Sequence, residues 1–558
     1  MSFARAVQFL RVPTESKSVS NIWINDDIKP LPPTRRTWNR LAFISFWAIN
    51  QICLSNWQLG GSLVAFGLSV WQSIIAIIIG KIITALVAVY NGYVGAEWHI
   101  GFPVYSRLIW GVYGQYLALV QRIVLSLVWF AVQSWTGGLC VEAILSSIFS
   151  SYQHMPNHFP ASAHMDTRQF IGWVIFNVLM IPILYVPPER IKWIVLWMNV
   201  VSAITLICMM IWALSAAHGA GPLLSAPATV QSGSELGWSI VLGITTVIGS
   251  IAVGLTNQMD YSRFARRTGD QVFGQWFSII FFGTIMPLFG CLVSSATQQI
   301  YGEAIWNPPI LVQKWMDTDY NAKTRAAGFF AGCGLVVCQL AINAIDNAFS
   351  TGFDMAGLFP NFINIRRGAY IGLILSIALC PWELLSSAAT FISVLSAYSV
   401  FLGPMVGIQI AEYWIIRRRR IKLSDLYHNR RSGIYYYFYG INWRSFVSWV
   451  VGWASQIPGF AHAVNKNIVV PAGCNELYYL AYPLGFAISF VVHLALNKFF
   501  PPPGRDLIDP IDYYNTFSPE EAAHFGVEPY DGRIEGQVII DEDQDVIHDE
   551  IKAMDQKL

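Results

Sequence analysis

The 558-residue sequence predicts an all-α polytopic membrane protein of twelve transmembrane helices. Three features point there. The chain is 54% apolar and 12% charged, whereas a soluble domain is about 25% charged; a water-facing globule of this size would lack the polar side chains to cover itself. Apolar stretches of about 20 residues, the length that crosses a bilayer, recur along it. Basic residues between those stretches fall mainly in every second loop, as in a chain threaded back and forth through a membrane. The same composition excludes an ordinary cytosolic enzyme and a disordered chain. With 35 Lys and Arg against 34 Asp and Glu, the basic excess of a nucleic-acid binder is missing. Residues 1–40 are polar, basic and proline-containing, unlike a cleavable signal. Seven of the eight cysteines lie in or beside apolar stretches and only Cys474 in an expected loop, so neither a disulfide framework nor a metal site is expected.

In chain order the spans are 41–66, 70–93, 115–146, 169–187, 193–215, 238–257, 275–300, 327–350, 368–382, 386–414, 445–463 and 477–499. With a cytosolic N-terminus, the loops after spans 2, 4, 6, 8 and 10 should hold the Lys and Arg. They contain Arg107; Arg190 and Lys192; Arg263, Arg266 and Arg267; Arg366 and Arg367; and Arg417 to Arg420 followed by Lys422, Arg430 and Arg431. On the other side, loops 216–237 and 383–385 contain neither residue type, 151–168 has only Arg168 and 464–476 only Lys466. The loop between spans 7 and 8, with Lys314, Lys323 and Arg325, is the poor fit. Both termini are therefore expected in the cytosol.

The chain then divides into a cytosolic N-terminal segment (1–40), spans 1–5 (41–215), spans 6–10 (238–414), a basic cytosolic loop (415–444), spans 11 and 12 (445–499) and a cytosolic tail (500–558). From residue 501 the tail holds 15 acidic residues against four basic ones, with a cluster at Asp541, Glu542, Asp543 and Asp545. It reads as a solvated tail, or as one that meets the basic loops or trafficking machinery. The stretch Asn21–Arg36, with Trp23, Asp26 and Asp27, is open to reading as a folded cytosolic lid.

Polar residues inside spans should face the bundle interior, because lipid gives them no partner. Span 1 is interrupted by Asn50, Gln51, Ser55, Asn56, Gln58, Gly60 and Gly61, and span 6 by Gly243, Gly249, Ser250, Gly254 and Asn257. Two interrupted helices five spans apart fit a five-plus-five inverted repeat, whose broken helices turn backbone dipoles toward a midplane ligand; easier helix packing is the alternative use of the glycines. Span 3 places Trp129 and Gln133 on one helical face, an indole to stack on a flat ring and an amide to read it. Span 8 places Asn343, Asp346 and Asn347 on one face, in the equivalent helix of the repeat. Packing for Trp129, and bonds to neighbouring helices for Asn343 and Asn347, are the plainer alternatives.

At these residues the chain resembles fungal members of the nucleobase–cation symporter 1 family, in the Fur-like branch of uracil, allantoin and uric acid permeases, thiamine transporters and nicotinamide riboside transporters. The segments that carry the resemblance are NWQ at 56–58, VWFAVQSW at 128–135, NQMDYSRFARR at 257–267, GFDMAGLFPNFINIRRG at 352–368, LSAYSVFLGP at 395–404 and GINWRSFVSWVVGWASQIPGF at 440–460. The resemblance implies a LeuT-like fold with two helices beyond the repeat, alternating access, and inward uptake coupled to protons, with no cofactor. It places the stacking Trp on Trp129, its amide partner on Gln133 and the span-8 substrate ligand on Asn343. Ser55 and Asn56 contribute from span 1, Asn347 from span 8, and a gate from Phe391, Leu395 and Tyr398 on span 10.

Two departures bear on coupling. Sodium-coupled bacterial relatives place hydroxyl residues where this chain has Val337 and Cys338, which supply no hard oxygen ligand. Uracil-permease-like members often carry a Glu where Asn50 stands here, while Asp346 replaces a small residue. Asp346 is thus expected to carry the proton, with Lys81, the lone Lys of span 2, as the other proton-coupling candidate; a counter-ion for a cationic ligand and a structural partner for Lys81 are the alternatives for Asp346. The trio Trp129, Gln133 and Asn343 resembles the uracil–allantoin pattern, whereas NQMDYSRF and the tail DYYNTFSPEEA resemble the vitamin-transporting group. The implied function is uptake of a small planar heterocycle across the plasma membrane, with thiamine or nicotinamide riboside uptake, or a non-transporting nutrient sensor, as alternatives. An enzymatic role, a nucleic-acid partner and a resident metal are not expected; the oligomeric state is left open.

Overall fold

The computed structural model describes residue 12 and residues 23–186, 192–229 and 233–530. Arg190 and the acidic cluster at 541–545 lie outside the described residues. Every predicted span is helical. Eight helices are long and apolar enough to cross a membrane by length and composition: Val70–Trp98, Gln115–Ile148, Thr167–Tyr185, Leu196–Ala216, Asp270–Tyr301, Ala322–Leu358, Ala388–Ile416 and Ala481–Phe499. They are spans 2, 3, 4, 5, 7, 8, 10 and 12. Spans 1, 6, 9 and 11 are each divided into shorter pieces.

Span 1 consists of Arg40–Gln51 and Leu54–Phe66, parted at Ile52 and Cys53, where Cys53 is extended. Short polar side chains make that break by competing with the helix for its own carbonyls. The Asn56 amide donates to both Asn50 O and Gln51 O at 3.1 Å, and the Asn50 amide to Phe46 O at 3.2 Å. Span 6 runs Ser234–Gly249, then Ala252–Thr256 and Gln258–Ser262, turning at Ser250 and Ile251. Span 8 is continuous yet wound as a π-turn over Asn343–Ala348, a one-turn widening that shifts the facing of every residue in it.

The spans sort into two groups. Span 7 packs along both halves of span 1 and along span 2, which also carries span 6, while span 3 packs against spans 4 and 8. Close backbone approach holds the first group: a Cβ on Gly60 would lie 1.9 Å from Pro287 O, and one on Gly290 would lie 2.0 Å from Trp57 O. Such small-residue seams replace the hydrophobic drive that lipid cannot supply. At the end of the bundle that carries both terminal segments, Arg122 of span 3 ties the groups together. It reaches Asp354 of span 8 at 2.6 Å and Asp260 in the last piece of span 6 at 3.4 Å, all fully buried.

Residues 23–36 and 500–530 and the 415–444 loop fold into one cap, so residues 500–530 are an ordered piece and not a loose acidic tail. Arg36 bonds both Glu521 and the carbonyl of Thr516, Tyr427 donates to Ile28 O at 3.1 Å, and Ser424 bonds Asp509. Two of the loop's cations are paired with carboxylates of the bundle: Arg417 is buried against Glu412 at 2.9 Å, and Arg419 pairs with Glu97. Burial alone would push the Glu521 carboxyl up, but hydrogen bonds from His99 and Arg36 outweigh it and hold it at about 2. The loop between spans 7 and 8 spends its cations locally too. Lys314 pairs with Glu303 at 2.8 Å, and Arg325 donates to the last carbonyls of span 3, Ser147 O and Ile148 O, at 2.9 Å. Side chains satisfied in this way need not obey the loop-charge asymmetry.

Candidate substrate site

A hollow of about 70 Å³ lies where the two broken helices face spans 3 and 8. From span 1 it is lined by Phe46, Trp47, Asn50, Cys53, Ser55 and Asn56, and from span 3 by Trp129 and Gln133. Span 6 contributes Ser250 and Ile251 of the break, Gly254 of the short helix after it, Asn257, and Tyr261 from its last piece; span 8 contributes Asp346, Asn347 and Ser350. Ser55, Ser250, Gly254 and Asp346 are half-buried, opening toward this space, in a region where their neighbours are buried.

Gln133 is the hub of the polar wall. Its Nε2 donates to Ser55 Oγ, and its Oε1 accepts from Gln339 Nε2 at 2.9 Å. Gln339 therefore fixes the Gln133 amide with its N–H groups turned toward span 1, ready to meet a ring carbonyl. Asn343 stands elsewhere than the helical spacing suggests. It is fully buried and does not line the hollow; its Nδ2 points to Phe130 O at 3.4 Å, and its Oδ1 accepts from Asn347 Nδ2 at 3.0 Å. The π-turn explains this, because widening the winding turns Asp346 and Asn347 inward and leaves Asn343 behind them. Asn56 lines the hollow, but its amide is spent on the span-1 break.

Asp346 faces Asn50 across the hollow. It does not pair with Lys81, whose ammonium instead donates to Gln51 Oε1 at 2.9 Å and Asn56 Oδ1 at 2.8 Å. The span-10 residues sit outside the hollow, toward the end away from the termini. Phe391 stacks on Trp306 at 5.3 Å, and the carbonyl of Leu395 presses on Gly249 at the span-6 break, while Tyr398 is half-buried. Toward the terminal end, Phe46 and Tyr261 close ring to ring at 4.5 Å, backed by Trp38 against Phe46 at 5.1 Å.

Gln339 and Tyr261 are among the lining or supporting residues that span-by-span reading passes over, with Phe46, Trp47 and Ser350. Gln339 carried a signal, a polar residue one turn before Asn343 on a buried face. Tyr261 carried none, since it follows the break and only tertiary packing turns it back.

Helices interrupted at mid-bundle around a polar-walled hollow define a secondary transporter embedded in a membrane. A family model described as a permease for cytosine/purines, uracil, thiamine and allantoin matches residues 30–485, and the chain belongs to that family. It is 49% identical to the transporter aclS of Aspergillus oryzae, over 93% of each chain. It is 33% identical to the thiamine transporter THI72 of Saccharomyces cerevisiae, over 94% of this chain and 88% of the relative. Among solved structures, Mhp1, a nucleobase-cation-symport-1 family transporter in a closed conformation with bromovinylhydantoin bound, matches with a TM-score of 0.67 at 20% identity, over 90% of this chain and 99% of that one. The LeuT-like arrangement with five-plus-five repeat and two added helices is thus the fold of this chain.

Proposed function

We propose that the protein is a proton-coupled importer of a small planar heterocycle of the uracil, allantoin or uric acid type, working by alternating access and catalysing no covalent chemistry. Residues 41–215 and 238–414 are its two repeats, both termini face the cytosol, and its membrane is the plasma membrane. The observation that carries this reading is the meeting of an indole and an oriented amide, Trp129 and Gln133, at one hollow between broken helices. The ring stacks on Trp129 and a ring carbonyl accepts from Gln133. Ser55, now bonded to Gln133, is released to the ligand, and Asn347, held by Asn343, presents its remaining capacity from span 8. Leaving such buried amides unmet costs about 1–3 kcal/mol each, which selects against similar rings. Span 10, through Phe391, Leu395 and Tyr398, closes the outer side. Opening inward requires the Arg122 ties and the Phe46–Tyr261 contact to part.

Asp346 is the proton carrier in this reading. It is a carboxylate of the hollow, it has no ion pair among the described residues, and intramembrane carboxylates serve such relays. One proton entering with a neutral solute gains about 2.3 kcal/mol per 100 mV, enough for accumulation of about fifty-fold. A second reading is favoured by the same carboxylate and by the likeness to a thiamine transporter over nearly the whole chain. In it Asp346 is the counter-ion of a cationic ligand such as thiamine or nicotinamide riboside.

Uptake in a host lacking its own transporters, with uracil, allantoin, uric acid and thiamine competing, separates the two. Uracil or allantoin competing, together with an Asp346→Asn variant that still transports but without pH dependence, supports the first. Thiamine competing, with Asp346→Asn losing affinity for it, supports the second. Uptake of none by the intact protein favours a sensor.

A further inference from the structure

Lys81 does not touch the hollow, yet it is a fully buried ammonium in the middle of span 2, where a charge is costly unless its donors are met. Two of its donors go to Gln51 Oε1 and Asn56 Oδ1, the side chains on either side of the span-1 break. Asn56 passes the contact on, since its amide holds Asn50 O and Gln51 O, the last carbonyls of the inner half-helix. That is where the negative end of a helix dipole collects and where unsatisfied carbonyls accumulate.

The surroundings suit a cation held without a carboxylate. No ion pair involves Lys81 among the described residues. The titratable group beside it is Cys53 on span 1, which also faces Asp346 from its other side. Span 7 presents Gly283: a Cβ there would lie 2.9 Å from Lys81 Cδ and 2.6 Å from Gln51 Oε1, so the absence of a side chain leaves the passage open.

We propose that Lys81 is a tethered cation that does what a bound cation would do at the span-1 break. It neutralises the end of the inner half-helix and keeps the Gln51 and Asn56 amides engaged at the break, so that Asn50 and Ser55 are left to face the ligand. Lys81 is then a positioning residue with a fixed charge, and proton movement is left to Asp346. Cutting the tether leaves two amide oxygens around an empty space that takes a small alkylammonium ion. This deepens the transport reading, and rests on it only where uptake is measured.

The test uses the purified full chain and its thermal midpoint. Lys81→Ala lowers the midpoint; methylammonium chloride restores it with concentration, choline chloride at equal ionic strength does not, and the unaltered protein responds to neither. In cells with labelled uracil as probe, Lys81→Ala loses uptake about tenfold or more. What remains keeps the pH profile of the unaltered protein. Lys81→Met refills the space without charge and shows the loss without rescue. Methylammonium acting no better than choline on Lys81→Ala overturns the proposal, as does Lys81→Met with unaltered midpoint and uptake. Should Lys81→Ala fail to accumulate, Lys81→Met decides alone: a tenfold uptake loss with intact accumulation and unchanged pH profile upholds it, and an altered pH profile overturns it. Failure of the unaltered protein to take up uracil tells against the substrate reading and leaves the thermal comparison standing.

Discussion

The two broken helices meet the same hollow but are held in different ways. In span 1 the break is spanned by side chains: Asn56 caps two carbonyls and Lys81 anchors Asn56 and Gln51. In span 6 the break is set by backbone packing. Gly249 lies against the carbonyl of Leu395 on span 10, Ser250 Oγ turns back to Val247 O at 2.7 Å, and Asn257 reaches Ser350 of span 8 at 3.1 Å. One joint is electrostatic and can exchange partners as it moves. The other is steric and admits little change of shape at its contact point. On the proposed alternating-access cycle the first would serve as a joint that adapts and the second as a fulcrum that does not.

The largest expected effect is at the fulcrum. A Cβ at Gly249 would lie 2.1 Å from Leu395 O and 2.8 Å from Ser399 Oγ, so Gly249→Ala must push spans 6 and 10 apart. Overpacking of this kind costs about 1–3 kcal/mol or more. The expected outcome is loss of monodisperse protein on size-exclusion of detergent extracts, and loss of uptake. A normal elution profile would show that the span-6 break is soft, and the contrast with span 1 would fail.

An intermediate effect is expected at the adaptable joint. Asn56→Ala frees Asn50 O, Gln51 O and one donor of Lys81 at once, and each unmet buried group costs about 1–3 kcal/mol. Water admitted from the hollow replaces some of these bonds, so the protein should fold with a clearly lowered thermal midpoint and with uptake reduced about tenfold. Equal loss in Asn56→Ala and Gly249→Ala would mean that both breaks are steric.

How far the sequence foretold these joints follows from what each is made of. Polar residues and glycines in apolar stretches announced both interruptions, because lipid offers them nothing. Trp129, Gln133 and Ser55, singled out as a stacking indole, an amide on the same face and a contribution from span 1 that the resemblance implies, line one hollow. Asn343 was misjudged in its facing, since regular helical spacing cannot anticipate a π-turn, and Asn347 and Asp346 take the inward positions. The partner of Lys81 was beyond reach too. Composition showed a lone buried cation, but which oxygens it meets depends on how span 2 crosses span 1. The order of the 500–530 segment was hidden because single residues, Glu521 and Asp509, fasten it, while its average composition resembles a solvated tail.

The smallest effect separates shape from chemistry within span 6 itself. Gly254 lies five residues from Gly249 and lines the hollow, but a Cβ there would meet only Ile251 Cγ1, at an ordinary 3.4 Å. It falls within the short helix Ala252–Thr256 and its φ is not of the kind reserved to glycine, so alanine fits the backbone. Replacing a helical glycine in this way gains about 0.5–1 kcal/mol. Gly254→Ala should therefore leave the thermal midpoint unchanged or slightly raised. Its methyl group enters the hollow that Trp129 also lines, so on the proposed function the KM for the imported ring should rise a few-fold while the maximal rate holds. A lowered midpoint would mean that the whole of span 6 beyond the break is as tightly set as Gly249, and the fulcrum would then be a surface and not a point.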